Sequence, residues 1–136
     1  MVKQKEIVLP AFSKGFHLID NLILDVLGEL PEMGILNLFL KHTSAALMLN
    51  ENADPDVRTD LDSLLDKIAP EGAPFYTHVL EGSDDMPAHF KSAVFGTSLT
   101  IPITNHQLNT GTWQGIYLCE FRRCGGHRKL VLTVYS

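Results

Sequence analysis

An α+β domain with a largely antiparallel sheet is the fold class this sequence predicts, and three observations predict it. Strand patterns outnumber helical ones. The helical segments do not alternate strictly with strands, as a parallel doubly wound fold requires. A chain of 136 residues is large enough to bury a real core but too short for two independent domains, so a single domain spanning residues 1–136 is expected.

Period-two alternation, enriched in β-branched and aromatic residues, marks strands near 4–9, 35–41, 44–49, 74–80, 98–104, 114–121 and 128–135. Phe16, Ile19, Ile23, Val26, Leu27 and Leu30 recur at helical spacing ahead of Pro31, which predicts a core-packing helix over 16–30. A second helix is punctuated more clearly. Asp54 can cap it, Pro55 suits its first position, and Val57, Leu61, Leu64, Leu65 and Ile68 form one stripe before Pro70. Its charges, Asp56, Arg58, Asp60, Asp62, Asp66 and Lys67, read as a solvated face. A third helix is expected from about Met86 to Phe95, with Pro87 in the first turn and Gly96 at the C-terminal end. The segment RRCGGHRK reads as a hairpin turn around Gly125 and Gly126 with a basic, solvated tip.

Composition narrows the function classes. Hydrophobic residues make up 45% and charged residues 20%, the balance of a globular chain rather than a disordered one or a fibre. The longest apolar runs, LNLFL and KLVLTVY, fall far short of the ~20 residues that cross a bilayer. The N-terminal MVKQKEIVLP has no signal-peptide pattern, so a cytoplasmic protein without a membrane partner is expected. A net charge of -5 disfavours nucleic acid as a partner. Cys119 and Cys124 match neither a metal-binding pair nor a disulfide framework and read as free thiols. No glycine-rich turn joins an early strand to a helix, so no nucleotide cofactor is expected.

Chemistry concentrates in HVLEGSDDMPAHFKS, residues 78–92, which gathers two histidines, three carboxylates and a lysine around glycine and proline. His78 alone could be a hydrogen-bonded structural residue, but the EGSDDMP loop can bring it to His89. Two imidazoles with Asp84 or Asp85 would hold a divalent metal and leave positions open for water or substrate. The plainer reading of those two aspartates is helix capping. At 100° per residue Asp85, His89 and Ser92 fall within about 60° of one another, with Met86, Phe90, Ala93 and Val94 on another side. Lys91 lies about 200° from His89 and is kept as an anion contact.

Two further polar clusters stand apart in sequence. His42, Thr43 and Ser44 occupy a strand junction, followed by Asn50, Glu51 and Asp54 before the capped helix. His42 could complete a three-histidine metal set, whereas Ser44 with His42 lacks an orienting acid and does not make a hydrolase triad. The third cluster contains Gly111, Thr112, Trp113 and Gln114, then Glu120 and Arg122 alternating onto one strand face. A single tryptophan most often packs in the core. The Arg122 guanidinium matches phosphate or carboxylate in two-pronged geometry.

The segments HTSAALMLNENADPDVRTDL, YTHVLEGSDDMPAHFKSAVFGTSLTIPI and LNTGTWQGIYLCEFRRCGGHRKL resemble, in order and spacing, the YjbQ family of UPF0047 proteins over nearly the whole chain. The resemblance implies a β-sandwich-like core with about three helices, assembled as a homotrimer with polar sites close to subunit boundaries. It implies a bound metal or anion in some relatives. It also implies a thiamine-phosphate synthase activity that joins a hydroxymethylpyrimidine diphosphate to a thiazole phosphate with loss of pyrophosphate. The chain departs from the family pattern at Asn105-His106-Gln107-Leu108, where a glycine turn is usual, and at Thr110, where an apolar residue is usual. Asparagine tolerates the left-handed region, so the turn is expected to survive with altered dihedrals.

On the combined reading, His42, His78 and His89 are the expected metal ligands, with zinc the leading ion. Glu51, Glu81, Asp85, Lys91 and Arg122 are the expected catalytic groups. Thr43, Ser44, Asn50, Ser92, Trp113 and Gln114 are expected to bind a phosphorylated small molecule. Two other functions compete: a noncatalytic trimer that binds a phosphorylated metabolite, and a metal-dependent hydrolase.

Overall fold

The computed structural model describes residues 1–136 as two antiparallel sheets with two of the three helices on the outer face of the smaller one. In chain order the elements are β1 (Val2–Val8), β2 (Gly15–Leu18), α1 (Asp20–Leu27), β3 (Met33–Leu40), β4 (Ala45–Glu51), α2 (Pro55–Ile68), α3 (Asp85–Phe95), β5 (Ser98–Thr104), β6 (Gln107–Leu108), β7 (Gln114–Glu120) and β8 (Lys129–Tyr135). The larger sheet has the order β1-β8-β3-β5-β6 and the smaller β2-β7-β4. Every paired neighbour is antiparallel.

Alternation along the strands builds the layers. Leu36, Leu38 and Leu40 of β3, Ile101 and Ile103 of β5, and Leu130, Leu132 and Val134 of β8 meet Ala45 and Leu47 of β4 and Ile116 and Leu118 of β7 in one core. The other face of the small sheet, Ala46, Met48, Tyr117 and Cys119, packs with Leu65 of α2, Ala88 of α3, Phe16 and Phe121 in a second core. The small sheet is therefore buried on both faces. This explains why AALML and GIYLC read as continuous apolar runs rather than clean alternations.

Three expected elements are corrected. Residues 16–30 are not one helix: Gly15–Leu18 pair with β7 as β2, and α1 begins only at Asp20. Phe16 goes to the second core while Ile19 and Ile23 go to the first, so no single helical stripe buries them all. Residues 74–80 form no strand, because Pro70, Gly72 and Pro74 break the segment and no sheet edge adjoins it. Finally, RRCGGHRK is not a hairpin. It carries the chain from β7 in the small sheet to β8 in the large one. Asn105 (φ 51°) and His106 (φ 64°) form the two-residue turn between β5 and β6, both in the left-handed region. His106 Nδ1 donates to the Leu30 carbonyl at 2.9 Å, which offsets part of the backbone strain.

The second helix forms as its punctuation predicts, with Asp54 accepting the Asp56 amide at 2.9 Å. No helix is long and apolar enough to cross a membrane.

Candidate functional site

Two of the crossings between the sheets, 41–44 and 121–128, lie at the same end of the sandwich, because Ala45 opens β4 directly opposite Glu120 at the close of β7. The N-terminal part of α3 and the loop 69–84 come to this end as well. His89 Nδ1 donates to the Thr43 carbonyl at 2.7 Å, and Arg122 Nη1 donates to Asp85 Oδ1 at 2.6 Å. The polar seam of α3 thus faces inward: Asp85 and Ser92 are buried, while Phe90 and Val94 are exposed. This inverts the ordinary amphipathic arrangement.

At the centre, His78 Nε2 lies 2.6 Å and His89 Nε2 3.0 Å from the same oxygen, Asp85 Oδ2. The three ligand atoms lie within 4.8 Å of one another. Because His89 Nδ1 spends its hydrogen on a carbonyl, a neutral His89 points an Nε2 lone pair at a carboxylate. Only a positive charge between them, a second proton or a metal ion, makes that arrangement attractive. Two imidazoles and one carboxylate also make a donor set that suits zinc, with room for a further ligand. The residues present therefore fit a divalent ion.

The surrounding groups fix this arrangement. Arg122 holds Asp85 by its outer oxygen, leaving Oδ2 to the histidines, and Arg122 Nη2 donates to the Glu81 carbonyl at 3.0 Å. Its Nε lies 3.2 Å from Asp84 Oδ2 but is too poorly aligned to bond, so the contact is electrostatic. Asp84 Oδ2 accepts the Arg123 amide at 3.0 Å. Neither aspartate caps α3 through its side chain. The capping reading therefore gives way to one in which both carboxylates organise arginines.

Burial alone would push the Asp85 carboxyl upward. The His78 hydrogen bond and the nearby charges of His89 and Arg122 outweigh it, so the acid sits below its ordinary value. Burial likewise opposes, and the Arg123 amide and Arg122 outweigh it, at Asp84, which is lowered too. A carboxylate that folding holds below its unfolded value contributes stability that is present above about pH 3.9 and lost as pH falls further. The melting temperature is accordingly expected to fall steeply below about pH 4, and Asp84→Asn to flatten that fall. Circular dichroism melts from pH 7 to pH 2 measure it.

Several expected site residues are placed otherwise. His42 does not join His78 and His89: its Nε2 accepts the Lys129 amide at 2.8 Å, so that nitrogen is not free for a metal. Lys91 is only 2% exposed and pairs with Asp66 at 2.8 Å, tying α3 to α2 rather than presenting a charge to an anion. Arg122 has its fork committed to Asp85 and Glu81 and is not free to grip phosphate. Asn50, Glu51, Trp113 and Gln114 sit at the opposite end of the small sheet, where Glu51 pairs with Gln114. About 20 Å of β7 separates them from Glu120, at the usual strand rise. There Glu51 accepts the Ala53 and Asp54 amides, Asn50 accepts the Glu51 amide, and Gln114 accepts the Gly111 amide. Trp113 is 65% exposed rather than packed in the core. Thr43 and Ser92 do line the groove beside His89, and Ser44 Oγ accepts from Arg128 Nη2 at 2.9 Å.

The supposed basic tip is a working part of this end. Arg128 and Glu120 form a buried two-pronged ion pair at 2.7 and 2.5 Å, and Arg123 pairs with Glu71. The sequence signal for the first pair was present: Glu120 closes a strand that is otherwise apolar, and a buried charge needs a partner.

Two curled antiparallel sheets and three helices define a small α+β protein. The chain belongs to the YjbQ family: the family model described as "UPF0047 protein YjbQ-like" matches residues 5–136. It is 47% identical over 133 residues to the UPF0047 protein YjbQ of Escherichia coli O157:H7 and 50% identical over 133 residues to that of Salmonella typhimurium, each match covering 96% of both chains. Its fold matches the crystal structure of a conserved hypothetical protein from Thermus thermophilus with a TM-score of 0.82 at 32% identity, covering 95% of this chain and 97% of that one. A YjbQ/UPF0047 family protein from Clostridium acetobutylicum matches with a TM-score of 0.80 at 38% identity, over 96% and 99% of the two chains. The function of the family is uncharacterised.

Proposed function

We propose that the chain is a metal-dependent enzyme acting on a phosphorylated small molecule, with His78, Asp85 and His89 holding one divalent ion. The observation that carries this reading is the pair of imidazole nitrogens directed at one carboxylate oxygen, with the other nitrogen of His89 already committed to Thr43. A bound ion there supplies Lewis acidity and charge compensation to phosphoryl oxygens. The Thr43 carbonyl fixes the tautomer of His89, and Arg122 orients Asp85, as partners behind the ligands of metal sites commonly do. Glu81, exposed and held through its carbonyl by Arg122, is the candidate acid-base group.

The reaction proposed is displacement of diphosphate from a hydroxymethylpyrimidine diphosphate by a thiazole phosphate. The C–O bond to diphosphate breaks as a C–N bond forms, and the departing charge is what the site must stabilise. Incubating the zinc-loaded protein with both precursors tests it. The expected result is thiamine phosphate and diphosphate in equal amounts, slowed at least about 100-fold in His89→Ala, the range in which loss of a charge-stabilising group falls. Orthophosphate released from one precursor alone would instead identify a hydrolase. A raised melting temperature without product would identify a binding protein and end the enzymatic reading.

We further propose a homotrimer with the sites close to subunit boundaries. Supporting it, the loop that carries His78 leaves Phe75 78% and Leu80 95% exposed, and Phe90 and Val94 form an exposed apolar face on α3. Sedimentation equilibrium is expected to give three times the 15.1 kDa chain mass, and a single-chain mass would contradict it.

A further inference from the structure

The surroundings of His42 carry a role distinct from metal binding. A neutral imidazole has one N–H and one lone pair. Since Nε2 accepts the Lys129 amide, the ring hydrogen lies on Nδ1. Nδ1 stands 3.4 Å from Arg128 Nη1. Both atoms are donors, so this approach is not a hydrogen bond but two donors converging without an acceptor.

The rest of Arg128 is fully engaged. Nε and Nη2 hold the two Glu120 oxygens, and Nη2 also reaches Ser44 Oγ. Only Nη1 has no oxygen partner, although Arg128 is 4% exposed and little solvated. Buried guanidinium hydrogens ordinarily find acceptors. Burial, followed by the charge of Arg128, holds the His42 ring below its usual pKa against the opposing charge of Glu120, with Lys129 and Lys41 contributing less. His42 lines a groove of about 580 Å³ whose facing wall, on α3, includes His89 and Ser92.

We propose that His42 Nδ1–H and Arg128 Nη1 form an oxyanion subsite, which takes an oxygen of a phosphoryl or carboxylate group on the small molecule that occupies this groove. An oxygen about 2.9 Å from each donor closes the triangle on their 3.4 Å base. A cation is disfavoured there, because a protonated Nδ1 and a guanidinium nitrogen offer it no lone pair. The anion subsite stands on its own geometry. The claim that the same molecule also reaches His89 rests on the metal reading above.

Nitrogen-15 NMR of the histidine rings in EDTA-treated protein tests the subsite, with the His42 signal assigned by its loss in His42→Asn. The expected spectrum has the His42 proton on Nδ1, and the ring resonances move on titration with inorganic phosphate or with acetate. Tighter response to phosphate identifies a phosphoryl group, and tighter response to acetate a carboxylate. His42→Ala is expected to weaken phosphate binding roughly tenfold, the worth of one hydrogen bond to a charged group. His42→Asn, which keeps an N–H near Nδ1, should stay within about threefold of wild type. A proton on Nε2, or rings that do not move with either anion, would overturn the proposal. Zinc titration run in parallel separates the readings: anion response without zinc uptake sinks the metal site alone, and zinc uptake with a stationary His42 ring sinks the subsite alone.

Discussion

Glu120→Ala is expected to destabilise the fold by about 3–5 kcal/mol, because it strands the Arg128 guanidinium in the interior without its counter-charge. Glu120 is fully buried and Arg128 nearly so, and together they clamp the end where the crossings 41–44 and 121–128 occur. Their backbone setting is equally tight. A Cβ at Gly125 would lie 2.1 Å from Glu120 Oε1, so only glycine lets the chain pass over the carboxylate. The expected loss is a large share of the roughly 5–15 kcal/mol typical of a domain. Replacing both partners by apolar residues, Glu120→Leu with Arg128→Met, should recover most of the stability, since the cost lies in the unpaired charge rather than in the lost attraction. Urea unfolding of the two single variants and the double variant measures this directly. Equal losses in all three would mean that packing, not charge, dominates.

Asp85→Asn and His89→Ala are each expected to weaken zinc binding by more than about 100-fold, since loss of a ligand should exceed the roughly 10–100-fold cost of losing its supporting partner. Arg122→Gln, which removes such a support from Asp85, should fall within that range of about 10–100-fold. His42→Ala, by contrast, should leave zinc affinity within a few-fold, because both edges of that ring face donors. Calorimetric titration of zinc into the four variants distinguishes the cluster of His78, Asp85 and His89 from the three-histidine set that the sequence suggested.

How much of this was legible before folding differs from element to element. The strand over 98–104 and the helix after Asp54 were readable because each carries its own signals: alternation in one, a cap and a proline in the other. The His78–Ser92 segment was readable as a site because imidazoles, carboxylates and turn residues rarely crowd together without use. What could not be read was which distant groups face one another. His42 was drawn into the metal set because nothing local shows that the Lys129 amide, 87 positions away, occupies its Nε2. Lys91 looked free because its partner Asp66 belongs to a helix face that sequence alone treats as solvated. The false strand over 74–80 shows the limit of alternation: Phe75 and Val79 are apolar on schedule, yet no strand pairs with them, and they remain at the surface.

X-ray absorption at the zinc edge of protein loaded with one equivalent of zinc tests the central claim most directly. The predicted spectrum shows nitrogen and oxygen scatterers only, at ~2.0–2.2 Å, with the outer-shell signature of two imidazoles that drops to one in His78→Ala. Sulfur scattering near ~2.3 Å, an unchanged imidazole signature in His78→Ala, or a protein that retains no zinc would contradict it.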